Sequence, residues 1–153
     1  MALDWVHEHR AELGISTLTV AGESGGGNLT LGTVIRAKRE GRLDAVDGVY
    51  ALVPYISGSY GGDLAAELPS LVENDGYFIG CAMLEVMVAV YDPDGSHATD
   101  PLCWPYHASA DDLAGVAAAR RLGQRDRSSA GRGHRLPQRA GGGRGVDARL
   151  RIV

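Results

Sequence analysis

Apolar residues follow two rhythms along the first 115 positions and none after them. From Ala2 to Leu13, Leu3, Trp5 and Val6 interleave with Asp4, His7, Glu8, His9 and Arg10, which predicts an amphipathic helix. Gly14 stands where a helix ends in left-handed backbone. Ile15 to Ala21 is apolar and β-branched and predicts a strand. A helix is expected from Ser24 to about Glu40, with Leu29, Thr33, Val34 and Ala37 on one face and Arg36, Lys38, Arg39 and Arg42 on the other. Gly48 to Val53, bounded by Asp47-Gly48 and Pro54, predicts a buried parallel strand. Strand, helix, strand from Ile15 to Val53 makes a right-handed βαβ unit, and the fold class is α/β.

Beyond it, Ser57 to Leu68 is Gly-rich and expected as a loop, and Pro69 to Glu73 as a short helix. Cys81 to Tyr91 predicts a mostly buried helix with Met83 and Met87 filling core. Asp92-Pro93-Asp94-Gly95 is a turn. Asp100 to Tyr106 is an irregular aromatic stretch, either a pocket wall or a structural connector. From Val116 onwards Arg, Gly and Ala dominate without periodicity, and such a segment is expected to be disordered. At 153 residues this is one small domain at most, organised as 1–115 and a tail of 116–153.

Charge sharpens that division. Residues 1–115 carry 17 acids against 5 bases, and residues 116–153 carry 2 acids against 10 arginines. The basic group at the end of the first long helix suits its dipole, and the acidic surroundings argue against nucleic acid there. Cys81 and Cys103 lack metal-site spacing and read as buried or inert thiols. His7 and His9 lie two apart, on different faces of a helix, so they cannot form an i,i+4 metal pair. The chain opens with no secretory pattern and holds no long apolar run, so a cytoplasmic protein is expected.

The candidate chemistry lies in Val20 to Leu29, which contains Gly22-Glu23-Ser24-Gly25-Gly26 between the first strand and its helix. Strand, tight glycine turn and helix form the context of a nucleophile elbow. Ser24 is the expected nucleophile, with its Oγ exposed beyond the strand's carboxyl end. Glycines two before and two after let the backbone pass. The Gly25 N–H, at the helix N-terminus, is the expected oxyanion donor. Phosphate loops share this topology, but Lys38 is the only lysine, so the Gly-Lys-Ser/Thr signature is absent. Gly25-x-Gly27 is followed by Thr30 where a dinucleotide fingerprint needs a third glycine.

Gly22-Glu23-Ser24-Gly25-Gly26-Gly27-Asn28-Leu29 resembles the Gly-Asp-Ser-Ala-Gly-Gly-Asn-Leu box of the hormone-sensitive-lipase family of α/β-hydrolase esterases. Ala37 to Tyr50, Pro54 to Gly58 and Glu67 to Ile79 are similar to that family too, and the resemblance runs from about Leu3 to Gly115. It implies a partial α/β-hydrolase fold and hydrolysis of small carboxylic esters through an acyl-serine, with no metal or cofactor. It also implies parts that have no match here. The family's His-Gly-Gly-Gly motif and the strands before the helix that precedes the elbow strand have no counterpart. The family acid falls near Arg127 and Ser128, without an in-frame match. His97, His107 and His134 occupy no family position, and Asp92 and Asp100 match its linker rather than its acid.

Codons consistent with Ala117 to Ser128, read one base on, give Pro-Pro-His-Val-Val-Ser-Val-Asn-Glu-Ile-Asp-Pro, which resembles the family's continuation. The expectation is therefore a hydrolase fragment whose tail is a frameshift product, inactive or impaired by itself. Two other readings stand beside it. One is a non-catalytic protein that binds RNA through its Arg/Gly tail, although the tail lacks the aromatic residues that stack on bases. The other is one half of a split hydrolase.

Overall fold

In the computed structural model, residues 2–116 are described. Expectations placed on the tail beyond them, on Arg127 and Ser128 and on His134 lie outside the described residues. Val116 packs against the core.

The organising unit is β1 (Thr19–Glu23), α3 (Gly25–Arg39) and β2 (Gly48–Leu52), preceded by α1 (Ala2–Glu8) and α2 (Arg10–Leu13). β1 and β2 pair in parallel with Val20 opposite Val49 and Glu23 opposite Leu52. Leu31 and Val34 of α3 meet Val46 and Val49 in the core, with Leu3, Val20, Leu43, Ala51 and Ile56 around them. The face of α3 differs from the expected one. Leu29 is 58 % exposed, and the buried side chains are Asn28, Thr30, Leu31, Val34, Ile35 and Ala37. That set keeps the helical period but is rotated, because Leu29 lies toward solvent in the first turn.

The first helix is two short ones, broken at His9, whose ring stacks on Trp5 at 4.4 Å and whose Nδ1 lies 2.7 Å from the Trp5 carbonyl. Gly14 does end it in left-handed backbone, at φ 66°. β1 begins at Thr19 rather than Ile15. The preceding residues are drawn off by Asp47, whose carboxylate accepts from Leu18 N–H at 2.7 Å and from Arg10 at 2.5 Å. Those donors, the Leu18 amide foremost, hold the Asp47 carboxyl below its ordinary range.

After β2 come α4 (Gly62–Glu67), α5 (Pro69–Glu73), α6 (Cys81–Tyr91) and α7 (Ala110–Leu113). α4 takes up residues 62–67 of the loop expected over 57–68, whose first part is irregular as expected. α6 has the expected span and the wrong burial: none of its residues is buried, and Met83, Val86 and Val90 are 57–78 % exposed. Its methionines therefore fill no core. α7 carries a capping box, Ser109 bonding the Asp112 amide and Asp112 bonding the Ser109 amide, a Ser-x-x-Asp signal present in the sequence.

The basic cluster on α3 is used within the fold. Arg39 pairs with Asp112 at 2.7 Å, Arg36 with Glu40 at 2.8 Å, and Arg42 with Glu40 and Asp4. Arg39, with the Ser109 bonds, pulls the Asp112 carboxyl down to about 2. Among the described residues no helix is long and apolar enough to cross a membrane.

Candidate functional site

The chain reverses between β1 and α3 within one residue, Ser24, at φ 54° and ψ −119°. A non-glycine residue there is strained, at a cost of about 1–3 kcal/mol. Close approach makes the glycines around it obligatory in a particular pattern. A Cβ on Gly22 would stand 2.2 Å from the Gly26 carbonyl oxygen and 2.8 Å from Thr30 Oγ1. A Cβ on Gly27 would stand 2.8 Å from Pro54 Cβ, whereas one on Gly26 would meet nothing within 4 Å. The expected pair of spacer glycines is thus corrected on one side. Gly22 is needed, and Gly27 rather than Gly26 lets helix and β2 exit approach each other.

Backbone hydrogen bonds lock the turn. Ser24 N–H donates to Leu52 at 3.0 Å, which continues the β1–β2 ladder past the strand end. The Ser24 carbonyl accepts from Asn28 N–H at 3.1 Å and Tyr55 N–H at 3.0 Å. Ser24 is half-buried, and among the described residues its hydroxyl has no hydrogen bond. Gly25 is exposed and opens α3, so its N–H belongs to the first turn, where amides lack intrahelical acceptors.

Behind the turn sits an aromatic layer. Tyr55 stacks on Tyr60 at 4.9 Å and meets the edge of Trp104, which is fully buried. The Tyr55 hydroxyl donates to the Leu84 carbonyl, and burial pushes its pKa up to about 12; Tyr60 is raised as well. Both phenols therefore stay protonated near neutrality. The aromatic stretch 100–106 divides its duties. Trp104 is core, and Tyr106 lines a cleft of about 290 Å³ with Ser57, Leu64, Glu67 and His107.

His97 and His107 are engaged elsewhere. His97 Nδ1 lies 2.9 Å from Ser96 Oγ and 3.3 Å from Asp92 Oδ1. Serine and carboxylate share one ring nitrogen there, whereas a relay needs them on opposite nitrogens. Asp92, 6 % exposed, is further engaged by the Trp104 indole N–H at 3.4 Å. His107 packs against the Tyr106 ring. Cys81 and Cys103 are half-buried rather than buried, and desolvation raises both thiols, Asp75 adding to it for Cys81 and Asp92 for Cys103. The sequence reasoning missed Asn28, a polar residue in a helix interior whose only signal was its place in the glycine box.

The α/β-hydrolase fold family model matches residues 1–125, reaching beyond Gly115, where the resemblance read from the sequence ends. Among solved structures, the chain is similar to brefeldin A esterase, a bacterial homologue of human hormone-sensitive lipase, at 56 % identity and TM-score 0.73. It is similar to esterase Est22 at 40 % and 0.65, and to a fungal esterase from Rhizomucor miehei at 27 % and 0.64. In each case 77 % of this chain is covered, against 34 %, 34 % and 37 % of the other. The chain therefore spans about a third of the length of these structures. No curated protein matches it. The matched family, the identity to a hormone-sensitive-lipase homologue and the shared architecture agree: the chain belongs to the α/β-hydrolase fold family, in its hormone-sensitive-lipase group of esterases.

Proposed function

We propose that Ser24 is the nucleophile of a carboxylic ester hydrolase and that the Gly25 N–H is one of its oxyanion donors. The observation that carries this reading is the strained φ of Ser24 at the β1–α3 turn, with a hydroxyl that no neighbour among the described residues engages. Strain of this kind is retained where it presents a reacting group. Ser24 Oγ attacks the carbonyl carbon of a small carboxylic ester, and the carbonyl oxygen takes the negative charge. The Gly25 N–H, at the positive end of α3, donates to that oxygen. Collapse expels the alcohol and leaves an acyl-serine, which water then cleaves. No metal or cofactor takes part in these steps.

The same reading makes these 153 residues an impaired catalyst by themselves. Attack needs a base on the Ser24 proton and a carboxylate behind that base. Among the described residues, no histidine or carboxylate bonds Ser24 Oγ. His97 and Asp92 bond each other. Removing base and acid together leaves only the rate that binding and the oxyanion site supply, about 10⁶-fold below an intact triad. Residues 1–115 would be the hydrolase part and 116–153 a distinct basic segment, the division that the charge asymmetry follows.

A fluorophosphonate probe tests the nucleophile. Prolonged incubation with the full chain should give one adduct, mapped by peptide mass to Ser24 and lost in Ser24→Ala. Equal labelling of another serine sinks the assignment. Turnover of p-nitrophenyl butyrate should stay near the uncatalysed rate in both proteins. Fast hydrolysis abolished by Ser24→Ala would keep the nucleophile and overturn the impairment.

A further inference from the structure

Ser24 owes its geometry to a side chain one helical turn away. Its carbonyl holds two amides, from Asn28 in α3 and from Tyr55 beyond β2. The Asn28 side chain closes this ring, Nδ2 donating to the Tyr55 carbonyl at 2.8 Å and to the Cys103 carbonyl at 2.9 Å. Asn28 is 3 % exposed and its Oδ1 is buried without a partner. An amide buried with its oxygen unpaired is a poor choice for stability, by desolvation. Its two long-range bonds are what it supplies instead.

Those bonds converge on strain. Ser24 at φ 54° and Val53 at φ 38° are the two non-glycine residues with positive φ among the described residues. They stand at the carboxyl ends of the paired strands, Val53 directly before Pro54, where extended backbone is the norm. A β-branched residue at positive φ is a genuine outlier. Such conformations persist only where the surroundings over-determine them. Asn28 is bonded to the exit loop through Tyr55 and to the Ser24 peptide through its own N–H, so it spans both.

We infer that Asn28 is a positioning residue: its side-chain amide ties the Pro54-Tyr55 exit of β2 to the Ser24 peptide and fixes the direction of the Ser24 hydroxyl against the Gly25 N–H. The inference rests on Ser24 being the nucleophile, and its test separates the two.

Ser24→Cys in the full chain turns the position into a thiol whose alkylation by iodoacetamide can be followed against pH. Peptide mass separates it from Cys81 and Cys103. With Asn28 present, the introduced thiol should titrate at least one pH unit below the ordinary value of about 8.5, as thiols at helix N-termini do. Adding Asn28→Leu, which keeps the branched shape at a larger volume and removes both donors, should return it toward that value and slow alkylation at pH 7 about tenfold. Cys81, which Asn28 does not bond, should react as before. An ordinary titration with Asn28 intact counts against the nucleophile. A lowered titration unchanged by Asn28→Leu overturns the positioning role alone.

Hydrogen exchange in the native-serine background gives a second readout. Asn28→Leu and Asn28→Ala should speed exchange of the Ser24 and Tyr55 amides at least tenfold and leave those of Val49 and Tyr50 unchanged. Unchanged Ser24 and Tyr55 amides overturn the inference. So does loss of protection across all of β1 and β2 in both variants, because Asn28 would then serve the whole fold.

Discussion

The β1–α3–β2 unit and the stretch from Tyr77 to Tyr91 are both apolar in sequence, and they meet opposite fates. In the first, Val34, Ile35 and Val49 are 1–2 % exposed. In the second, Tyr77 and Phe78 are 86 % and 95 % exposed, and Met83, Val86, Met87 and Val90 form a stripe at helical spacing along α6. The contrast teaches that hydrophobic patterning reports which surface can be buried, while burial depends on what lies opposite. α3 has two strands beneath it. α6 is tied down mainly by polar contacts, with Tyr55 reaching the Leu84 carbonyl and Glu85 accepting from Ser59 and Tyr60.

The sharpest way to break this comparison is at the turn. Gly22→Ala places a Cβ against the Gly26 carbonyl, backbone that cannot yield without moving α3. The expected loss is about 4 kcal/mol or more, enough to abolish cooperative unfolding in urea. A folded Gly22→Ala protein would mean the turn is looser than it looks.

Next comes a matched pair of truncations. Leu31→Ala should cost about 2–4 kcal/mol in urea denaturation, since it opens a cavity in the shared core. Val90→Ala, from a position 78 % exposed, should change stability by less than about 0.5 kcal/mol. Equal costs would show that α6 is buried in solution.

Acid tests the link between α3 and α7. Asp112 is held at about 2, below its ordinary 3.8, chiefly by Arg39. A carboxyl depressed on folding contributes stability that is complete above the unfolded value and lost as pH falls through the folded one. About 1–2 kcal/mol should disappear between pH 4 and pH 2, discounted because Arg39 remains 43 % exposed. Asp112→Asn should flatten that part of the curve; an unaltered acid slope would contradict the role given to the pair.

The last effect has the opposite sign. Ser24→Gly relieves the positive φ and should stabilise the chain by about 1 kcal/mol while removing the hydroxyl. A loss of stability would show that Ser24 is not strained.

How much of this was legible beforehand follows the range of the forces involved. The turn at Ser24 is fixed within six residues by sterics, so Gly22-x-Ser24 announced it. The place of β2 was legible because Asp47-Gly48 and Pro54 punctuate it, but not its burial, since Val49 is its one buried residue and Val53 beyond it is 59 % exposed. The start of β1 was misplaced because Asp47, far along the chain, captures the Leu18 amide. The roles of Gly26 and Gly27 were exchanged because the deciding neighbour, Pro54, approaches only in three dimensions. α7 was missed although Ser109 and Asp112 carry a capping signal. Beyond its place in the glycine box Asn28 was not legible, since its partners Tyr55 and Cys103 are 27 and 75 residues away.

The burial of Trp104 gives the molecule an optical division. Its two tryptophans are Trp5, 54 % exposed beside His9, and Trp104, sealed between Tyr55 and Tyr91. Iodide in solution can reach the first indole and not the second. Emission that survives the quencher therefore comes from the aromatic layer behind Ser24, and the quenched fraction reports the amino-terminal helices. Two parts of one small chain can be watched separately, without a label.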